Sequence, residues 1–308
     1  MDQKYIELYD DYTHGTMGRR AFIDRLIKLA GGSAVAMALL PSLENNYALA
    51  GNPNSATRDV LTEYVEFEGA SGKVRGFLAR PKVGPEFYLP SVVVIHENRG
   101  LNPHIEDVAR RAAAAGFVAL APDALSPLGG TPKDVDEARN AMRKLDSEKT
   151  LGDFLAAVAY LANKEVTYDD VGCVGFCWGG RMANQIAVHS EYMKAAVAFY
   201  GSQPTAEEAA KIKGAVMLHY AGLDERINKG IDAYKAALKT AGVEHEVYIY
   251  DGVNHAFHND TNAARYNKEA AELAWERTIG FWKKHLMAKK KPDKPPDAKI
   301  VKITKAKT

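Results

Sequence analysis

The chain alternates short apolar runs with longer stretches that have helical spacing. The apolar runs have strand length, and most are nearly continuous in Val, Ala, Ile and Leu, which is typical of strands covered on both faces. They are residues 91–96, 117–121, 171–176, 195–200, 215–219 and 247–250. Helical spacing occupies residues 104–115, 134–162, 179–189, 228–241 and 267–286. This order predicts an α/β fold in which helices cover both faces of a mainly parallel central sheet.

A hairpin precedes these units. Residues 61–80 contain two alternating segments around the turn signal Gly69-Ala70-Ser71-Gly72, which predicts two antiparallel strands. No internal repeat divides the remainder of the chain. We therefore expect a single catalytic domain over residues 51–287 rather than two small domains.

A glycine-rich segment directly follows the apolar run at 171–176. Residues 175–180 read GFCWGG and lead into a helical stretch, the context in which G-x-nucleophile-x-G forms a sharp strand-to-helix turn. A nucleophile on such a turn leaves no room for Cβ atoms two positions before and after it. Cys177 is therefore predicted to be an exposed nucleophile, at a helix start that favours the thiolate.

An acid and a histidine follow Cys177 in the chain order of an α/β-hydrolase fold. Asp224 and His255 each come shortly after a predicted strand. Cys177 would attack an ester or lactone carbonyl, His255 would relay the proton, and Asp224 would fix the imidazole tautomer. The backbone N–H groups of Asn98 and Trp178 are expected to hold the oxyanion. Glu225 and Asp251 are rivals for the acid, and Asp224 has the alternative role of capping the next helix.

These motifs resemble those of the dienelactone hydrolase family of α/β hydrolases. The resemblance covers about residues 60–287 and rests on HENRGL, APD, GFCWGG, AGLD and GVNHAFH, at residues 96–101, 121–123, 175–180, 221–224 and 252–258. It implies a Cys–Asp–His triad at Cys177, Asp224 and His255. It also implies a role for Glu97, which in the family holds the thiol or takes its proton until the substrate enters. The expected substrate is a small-molecule ester or lactone.

The resemblance is weaker where the family's type members bind a substrate carboxylate with two arginines. The matching positions here are Pro127 and Asn259, and neither carries a charge. An arginine fork is the usual bidentate partner of a carboxylate. These two positions therefore argue against dienelactone as the substrate and fit a neutral ester or lactone better. Arg99 or Arg181 could substitute from elsewhere around the pocket, but nothing in the sequence places them there.

The histidines and cysteines of the predicted site also have other possible roles. His255, His258 and Asp260 form an H-x2-H-x-D cluster, but it lacks the i, i+4 spacing of the zinc-protease motif. The hydrolase hypothesis includes no metal and no organic cofactor. Cys173 lies within a predicted strand and is expected to be a core residue. A thiol-bearing binding or redox protein without hydrolytic turnover is the alternative function.

The first fifty residues differ from the predicted domain. Paired Arg19 and Arg20, an uncharged run at residues 29–43 and Ala48-Leu49-Ala50 resemble a twin-arginine export signal with its cleavage site. This interpretation predicts a periplasmic protein. The alternative is a retained helical arm on a cytoplasmic protein, possible as a contact between subunits of a homo-oligomer. The apolar run is too short for a stable membrane anchor.

The far end of the chain is basic. Residues 288–308 carry eight Lys, two Asp and three Pro, a composition that predicts a disordered tail. The whole chain has a net charge of +1, so its overall field does not favour nucleic acid as a partner.

Overall fold

The computed structural model describes residues 1–50, 59–84 and 87–287. The eight strands are β1 (Val60–Gly69), β2 (Gly72–Pro81), β3 (Leu89–Ile95), β4 (Val118–Pro122), β5 (Thr167–Phe176), β6 (Met193–Phe199), β7 (Ala215–Ala221) and β8 (His245–Tyr250). The helices are α1 (Gln3–His14), α2 (Arg19–Ala30), α3 (Ser33–Leu43), α4 (Pro103–Ala114), α5 (Val135–Met142), α6 (Ser147–Ala162), α7 (Trp178–His189), α8 (Ala206–Ala209), α9 (Glu225–Asn228), α10 (Ile231–Thr240) and α11 (Lys268–Leu286). The tail predicted at residues 288–308 lies outside the described residues.

All eight strands form one sheet in the order β1-β2-β4-β3-β5-β6-β7-β8. β2 pairs antiparallel with β1 and β4, and every other pair is parallel. The β1–β2 hairpin closes where Gly69 faces Gly72. The prediction of a mainly parallel α/β sheet preceded by a hairpin is therefore confirmed.

Helices cover both faces of the sheet. On one face, Phe154 of α6, Ile186 of α7 and Leu238 of α10 belong to one buried apolar cluster. On the other face, Val108 of α4 and Trp282 of α11 belong to a second cluster. The inner strands β3 to β7 are thereby largely buried from both sides, which explains the continuous apolar runs in the sequence.

The helical stretch predicted at 134–162 is interrupted. α5 and α6 are separated at residues 143–146, and the Asp146 side chain accepts hydrogen bonds from the backbone of Glu148 and Lys149. An aspartate in this position caps the start of a helix. The stretch therefore forms two helices, α5 and α6.

The first forty-nine residues fold onto the domain as three helices, α1 to α3, and a short turn at Tyr47–Leu49. We call residues 3–49 the N-terminal arm. It has its own apolar cluster, which includes the buried Tyr9, Phe22 and Leu26. Within the described residues, no single helix has the length and apolarity to cross a membrane. α2 together with residues 33–49 passes that test only as a pair bent by 118°.

Candidate active site

The predicted site residues lie at the carboxyl edge of the sheet. Glu97 follows β3, Cys177 follows β5, Asp224 follows β7 and His255 follows β8. Parallel strands present their carboxyl ends on the same edge, and ligands of open α/β sheets bind there. The topology therefore brings together residues that are far apart in the sequence.

The turn between β5 and α7 holds Cys177 in a strained conformation. Its φ of 56° and ψ of −112° are unusual for a residue with a side chain, and such positions cost about 1–3 kcal/mol. Close backbone contacts enforce the turn, because a Cβ on Gly175 would lie 1.8 Å from the carbonyl oxygen of Gly179. The Cys177 amide donates to the Phe199 carbonyl at 3.0 Å. The turn therefore fixes the thiol at the carboxyl edge of the sheet.

His255 and Asp224 form a buried pair beside the thiol. His255 Nδ1 lies 2.5 Å from Asp224 Oδ2, and both side chains are almost fully buried. Burial alone would lower the pKa of His255, but the Cys177 sulfur and the Asp224 carboxylate raise it to about 10. The same pairing lowers the pKa of Asp224 against the opposing effect of burial. The pair therefore favours a protonated imidazole next to the sulfur.

Asp224 has both of the roles considered from the sequence. Its other carboxylate oxygen accepts a hydrogen bond from the Ile227 amide at 3.3 Å, which caps α9. The cap fixes the carboxylate in the orientation that meets His255. The rival acid Asp251 is exposed to solvent.

A second histidine contacts the thiol from the N-terminal arm. His14 Nε2 lies 3.3 Å from Cys177 Sγ, and its ring packs edge-on against His255 with 4.5 Å between ring centroids. Burial and the neighbouring His255 hold the pKa of His14 well below its usual value. His14 is therefore a neutral imidazole in contact with the candidate nucleophile.

Several polar contacts hold the end of α1 over this edge of the sheet. Asn98 Nδ2 donates to the Thr13 carbonyl at 2.9 Å, and Arg139 donates to the Tyr12 carbonyl at 2.6 Å. Arg265 forms a 2.8 Å ion pair with Asp10, and its own side chain is 2% exposed. The arm thus makes one wall of the site.

A pocket of about 290 Å³ opens in front of Cys177, between α1 and the domain. Its lining includes the four arginines Arg139, Arg143, Arg181 and Arg226. Arg139 and Arg143 donate to backbone carbonyls of the arm. Among the described residues, the side chains of Arg181 and Arg226 have no ion-pair or hydrogen-bond partner, although the charge of Arg226 helps to lower the pKa of Asp224. The pocket therefore offers two guanidinium groups that are not held in ion pairs.

Asn98 and Trp178, the residues whose backbone amides the sequence predicts as oxyanion donors, lie at the pocket with Cys177. Trp178 is the first residue of α7. The first amides of a helix have no partner within the helix and favour negative charge. The Trp178 ring stacks on the His96 ring with 5.3 Å between centroids. This contact holds the first residue of α7 in place.

Glu97 is buried near the thiol but bonded elsewhere. It shares a small cavity of about 10 Å³ with Cys177 and His255, while its Oε2 accepts a 2.8 Å hydrogen bond from Asn259 Nδ2. Asn259, one of the two positions compared with the family's arginines, is therefore a buried partner of Glu97. Pro127, the other, lies in an exposed turn and does not line the pocket.

The H-x2-H-x-D residues do not converge. Asp260 pairs with His104 at 3.1 Å and with Arg111, whereas His255 pairs with Asp224. His258 is fully buried and stacks on Phe176 with 4.8 Å between centroids. Within the part of the chain that the structure describes, these three side chains do not form a common metal-binding group.

Among the pocket-lining residues that sequence reasoning missed are His14, Tyr200 and Arg226. Tyr200 is fully buried with a positive φ of 39°, and its ring lies 4.8 Å from that of His255. Its place at the end of the strand predicted at residues 195–200 was the available signal. His14 had no such signal, because its position depends on how α1 packs against the domain.

Comparison with known proteins identifies relatives of this chain. The family model named Dienelactone hydrolase family matches residues 74–286, and one named YqhI-like matches residues 1–30. "Protein usf" of Aquifex pyrophilus is 37% identical over 73% of this chain and 100% of its own length. A Saccharolobus solfataricus protein named "Putative carboxymethylenebutenolidase" is 32% identical over 72% of this chain and 98% of its own.

Solved structures share the fold. Brefeldin A esterase, a bacterial homologue of human hormone sensitive lipase, superposes with a TM-score of 0.62 at 15% identity. The match covers 91% of this chain and 92% of that one. At this identity the likeness supports the α/β-hydrolase fold alone.

Proposed function

Because the chain belongs to the dienelactone hydrolase family and is a hydrolase of that family, we propose that it cleaves a carboxylic ester or lactone through an acyl-cysteine intermediate on Cys177. The observation that carries this proposal is the strained turn that presents Cys177 beside the buried His255–Asp224 pair. A cysteine nucleophile is activated by an adjacent base that a third group orients.

The proposed reaction has two halves. The Cys177 thiol proton moves to His255, and the sulfur forms a C–S bond with the substrate carbonyl while the carbonyl π electrons move to oxygen. When the tetrahedral intermediate collapses, the alkoxide leaves and takes the proton from His255. Water then attacks the thioester and gives up a proton to His255, and the thiolate leaves as the carboxylic acid forms.

The surrounding groups support each step. Asp224 accepts a hydrogen bond from His255 Nδ1–H and stabilises the imidazolium, in line with the raised pKa of His255. The amides of Trp178 and Asn98 stabilise the oxyanion, and losing one such donor costs about 2.7–4 kcal/mol in comparable sites. Glu97, held by Asn259, lies buried beside the thiol, and the proposal gives it the family's role of holding the thiol until substrate enters.

The pocket favours an anionic substrate over the neutral one that Pro127 and Asn259 suggested. Arg181 and Arg226 line the pocket, and neither side chain forms an ion pair with a described residue. A charge-assisted hydrogen bond contributes about 1.5–3 kcal/mol. We therefore infer that the ester or lactone carries a carboxylate or another anionic group, bound by these arginines from positions that differ from those of the family's type members.

We also infer that the N-terminal arm is retained in the active enzyme. Cleavage after Ala50 would remove Thr13 and His14 from the pocket and leave Asn98, Arg139 and Arg265 without their partners in the arm. The export signal remains a prediction. Intact-mass analysis of the protein from its native host tests both: a chain that starts at Met1 or Asp2 supports retention, and a start at Gly51 contradicts it.

A matched pair of esters tests the function and the substrate class together. We expect turnover of 4-acetoxybenzoate and, at higher KM, of its neutral methyl ester. Cys177→Ala should abolish both reactions, whereas Cys173→Ala, a change at a buried core cysteine, should retain them. Arg226→Gln should raise KM about tenfold or more for the anionic ester alone. Undiminished turnover by Cys177→Ala would contradict the nucleophile, and equal effects on both esters would contradict the anion site.

A further inference from the structure

Three metal-binding atoms converge at the pocket floor. The Sγ of Cys177 and one ring nitrogen each of His14 and His255 all lie within 4.8 Å of one another. His14 Nε2 is already 3.3 Å from the sulfur. The triad alone supplies two of these atoms, and the N-terminal arm supplies the third.

The far side of each imidazole is already occupied by an oxygen. His14 Nδ1 lies 3.0 Å from the Asp10 carbonyl, and His255 Nδ1 lies 2.5 Å from the Asp224 carboxylate. Since a carbonyl oxygen only accepts hydrogen bonds, His14 Nδ1 carries the proton and its Nε2 presents a lone pair to the sulfur. His255 Nδ1 faces the Asp224 carboxylate in the same way, so a metal would bind Nε2 after displacing its proton, and this buried atom has no hydrogen-bond partner among the described residues.

We propose that His14, Cys177 and His255 form a Zn²⁺-binding site and that Zn²⁺ bound there inhibits the enzyme. One thiolate and two imidazoles are a donor set that zinc prefers. Tetrahedral zinc, with its usual bond lengths, holds a sulfur and a nitrogen ligand about 3.5 Å apart, close to the distance between His14 and Cys177. The fourth position opens to the pocket, as in zinc sites with three protein ligands.

The contacts behind the ligands are also those of a metal site. A histidine ligand usually donates its second ring N–H to a carboxylate or a backbone carbonyl, which orients the ring. Asp224 and the Asp10 carbonyl hold these positions for His255 and His14. The thiolate and the Asp224 carboxylate place two negative charges beside the ion, which offset the positive charge of Arg226 in the pocket wall.

Inhibition follows from the sharing of atoms. Binding releases the thiol proton, and the sulfur lone pair that would attack a carbonyl then bonds to the metal. His255 Nε2 bonds to the same ion and no longer transfers a proton. The inhibition rests on the proposed function, but the binding does not.

Metal binding is measured on the full-length, reduced protein after a chelator has been applied and removed. Co²⁺ is the spectroscopic probe, and we expect one equivalent to produce the visible bands of a tetrahedral site together with a near-ultraviolet thiolate-to-metal band. Zn²⁺ affinity is measured by competition with a chromogenic chelator. His14→Gln should lower that affinity at least tenfold, and Cys177→Ser should abolish the thiolate band. His189→Gln, at an exposed histidine, is the matched control and should change neither.

The outcomes separate the two proposals. No stoichiometric binding, no thiolate band, or unchanged affinity in both His14→Gln and Cys177→Ser would overturn the metal site, whatever the catalytic result. With an ester as substrate, Zn²⁺ should inhibit the wild type reversibly, and His14→Gln should need at least tenfold more Zn²⁺ for half-inhibition. Binding without inhibition would overturn the inhibitory role. Binding by a protein that hydrolyses no ester would count against the proposed function and leave the site in place.

Discussion

Replacing Asp224 with asparagine tests the electrostatic basis of the site. The pKa of His255 rises from 6.5 to about 10, which corresponds to a net preference for imidazolium of roughly 5 kcal/mol that Asp224 shares with the Cys177 sulfur. Asp224→Asn keeps the shape, removes the negative charge and allows the wrong imidazole tautomer. In a serine-protease triad the equivalent change lowers kcat about 10⁴-fold, and we expect a loss of about 10²–10⁴-fold here.

The pH profile gives the sign of the effect. A group whose pKa is raised keeps its proton until the pH passes the raised value, so the wild type should hold its rate with an alkyl ester up to about pH 10. Such an ester needs a proton from His255 for its alkoxide. In Asp224→Asn the alkaline limb of kcat/KM should move to lower pH, because the Asp224 contribution is gone.

The control is Asp251→Asn, which changes the exposed acid that the sequence offered as a rival. It should retain the wild-type rate and the same alkaline limb. The assay is hydrolysis of an ethyl ester followed by product chromatography from pH 6 to about 11, with the uncatalysed rate subtracted. Equal losses in the two variants, or an Asp224→Asn enzyme with an unshifted limb, would refute the reasoning.

Two further predictions concern the turn and the arm. Gly175→Ala should destabilise the protein and lower kcat/KM strongly, since its Cβ would lie 1.8 Å from a backbone oxygen. The control Gly280→Ala, with open space around it, should gain up to about 1 kcal/mol of unfolding free energy. Thermal melts and ester turnover check both variants, and a well-folded, active Gly175→Ala would count against the turn. Phe22→Ala should cost about 3–5 kcal/mol of packing at a fully buried position, making the arm sensitive to limited proteolysis and lowering kcat/KM. Met37→Ala, at an exposed position, should do neither, and full activity with a cleaved arm would contradict a catalytic role for the arm.

Local patterns predicted the parts of the site that follow strands. A Cβ on the glycines around Cys177 would collide with the backbone, so these glycines allow the turn to be predicted from the sequence. Asp224 and His255 were found because parallel strands end on one edge and the chain order of the fold is fixed. The break before α6 could also have been predicted, since Asp146 is a typical helix cap.

Long-range packing decided what the sequence did not reveal. His14 and Arg226 reach the pocket only because α1 and α9 pack beside it, and no local periodicity encodes that position. The contact of Asn259 could not be predicted from the sequence either. The comparison with the family's arginines treated it as a lost substrate contact, whereas its side chain is turned inward to Glu97.

The central claim is that Cys177 becomes acylated during turnover. Rapid quenching of the enzyme with 4-nitrophenyl acetate, followed by intact-mass and peptide mass spectrometry, tests it most directly. The account predicts one acetyl group per chain, located on Cys177, which accumulates further in His255→Ala because deacylation loses its base. Steady turnover with no acyl group on Cys177, or with the acyl group on another residue, would contradict it.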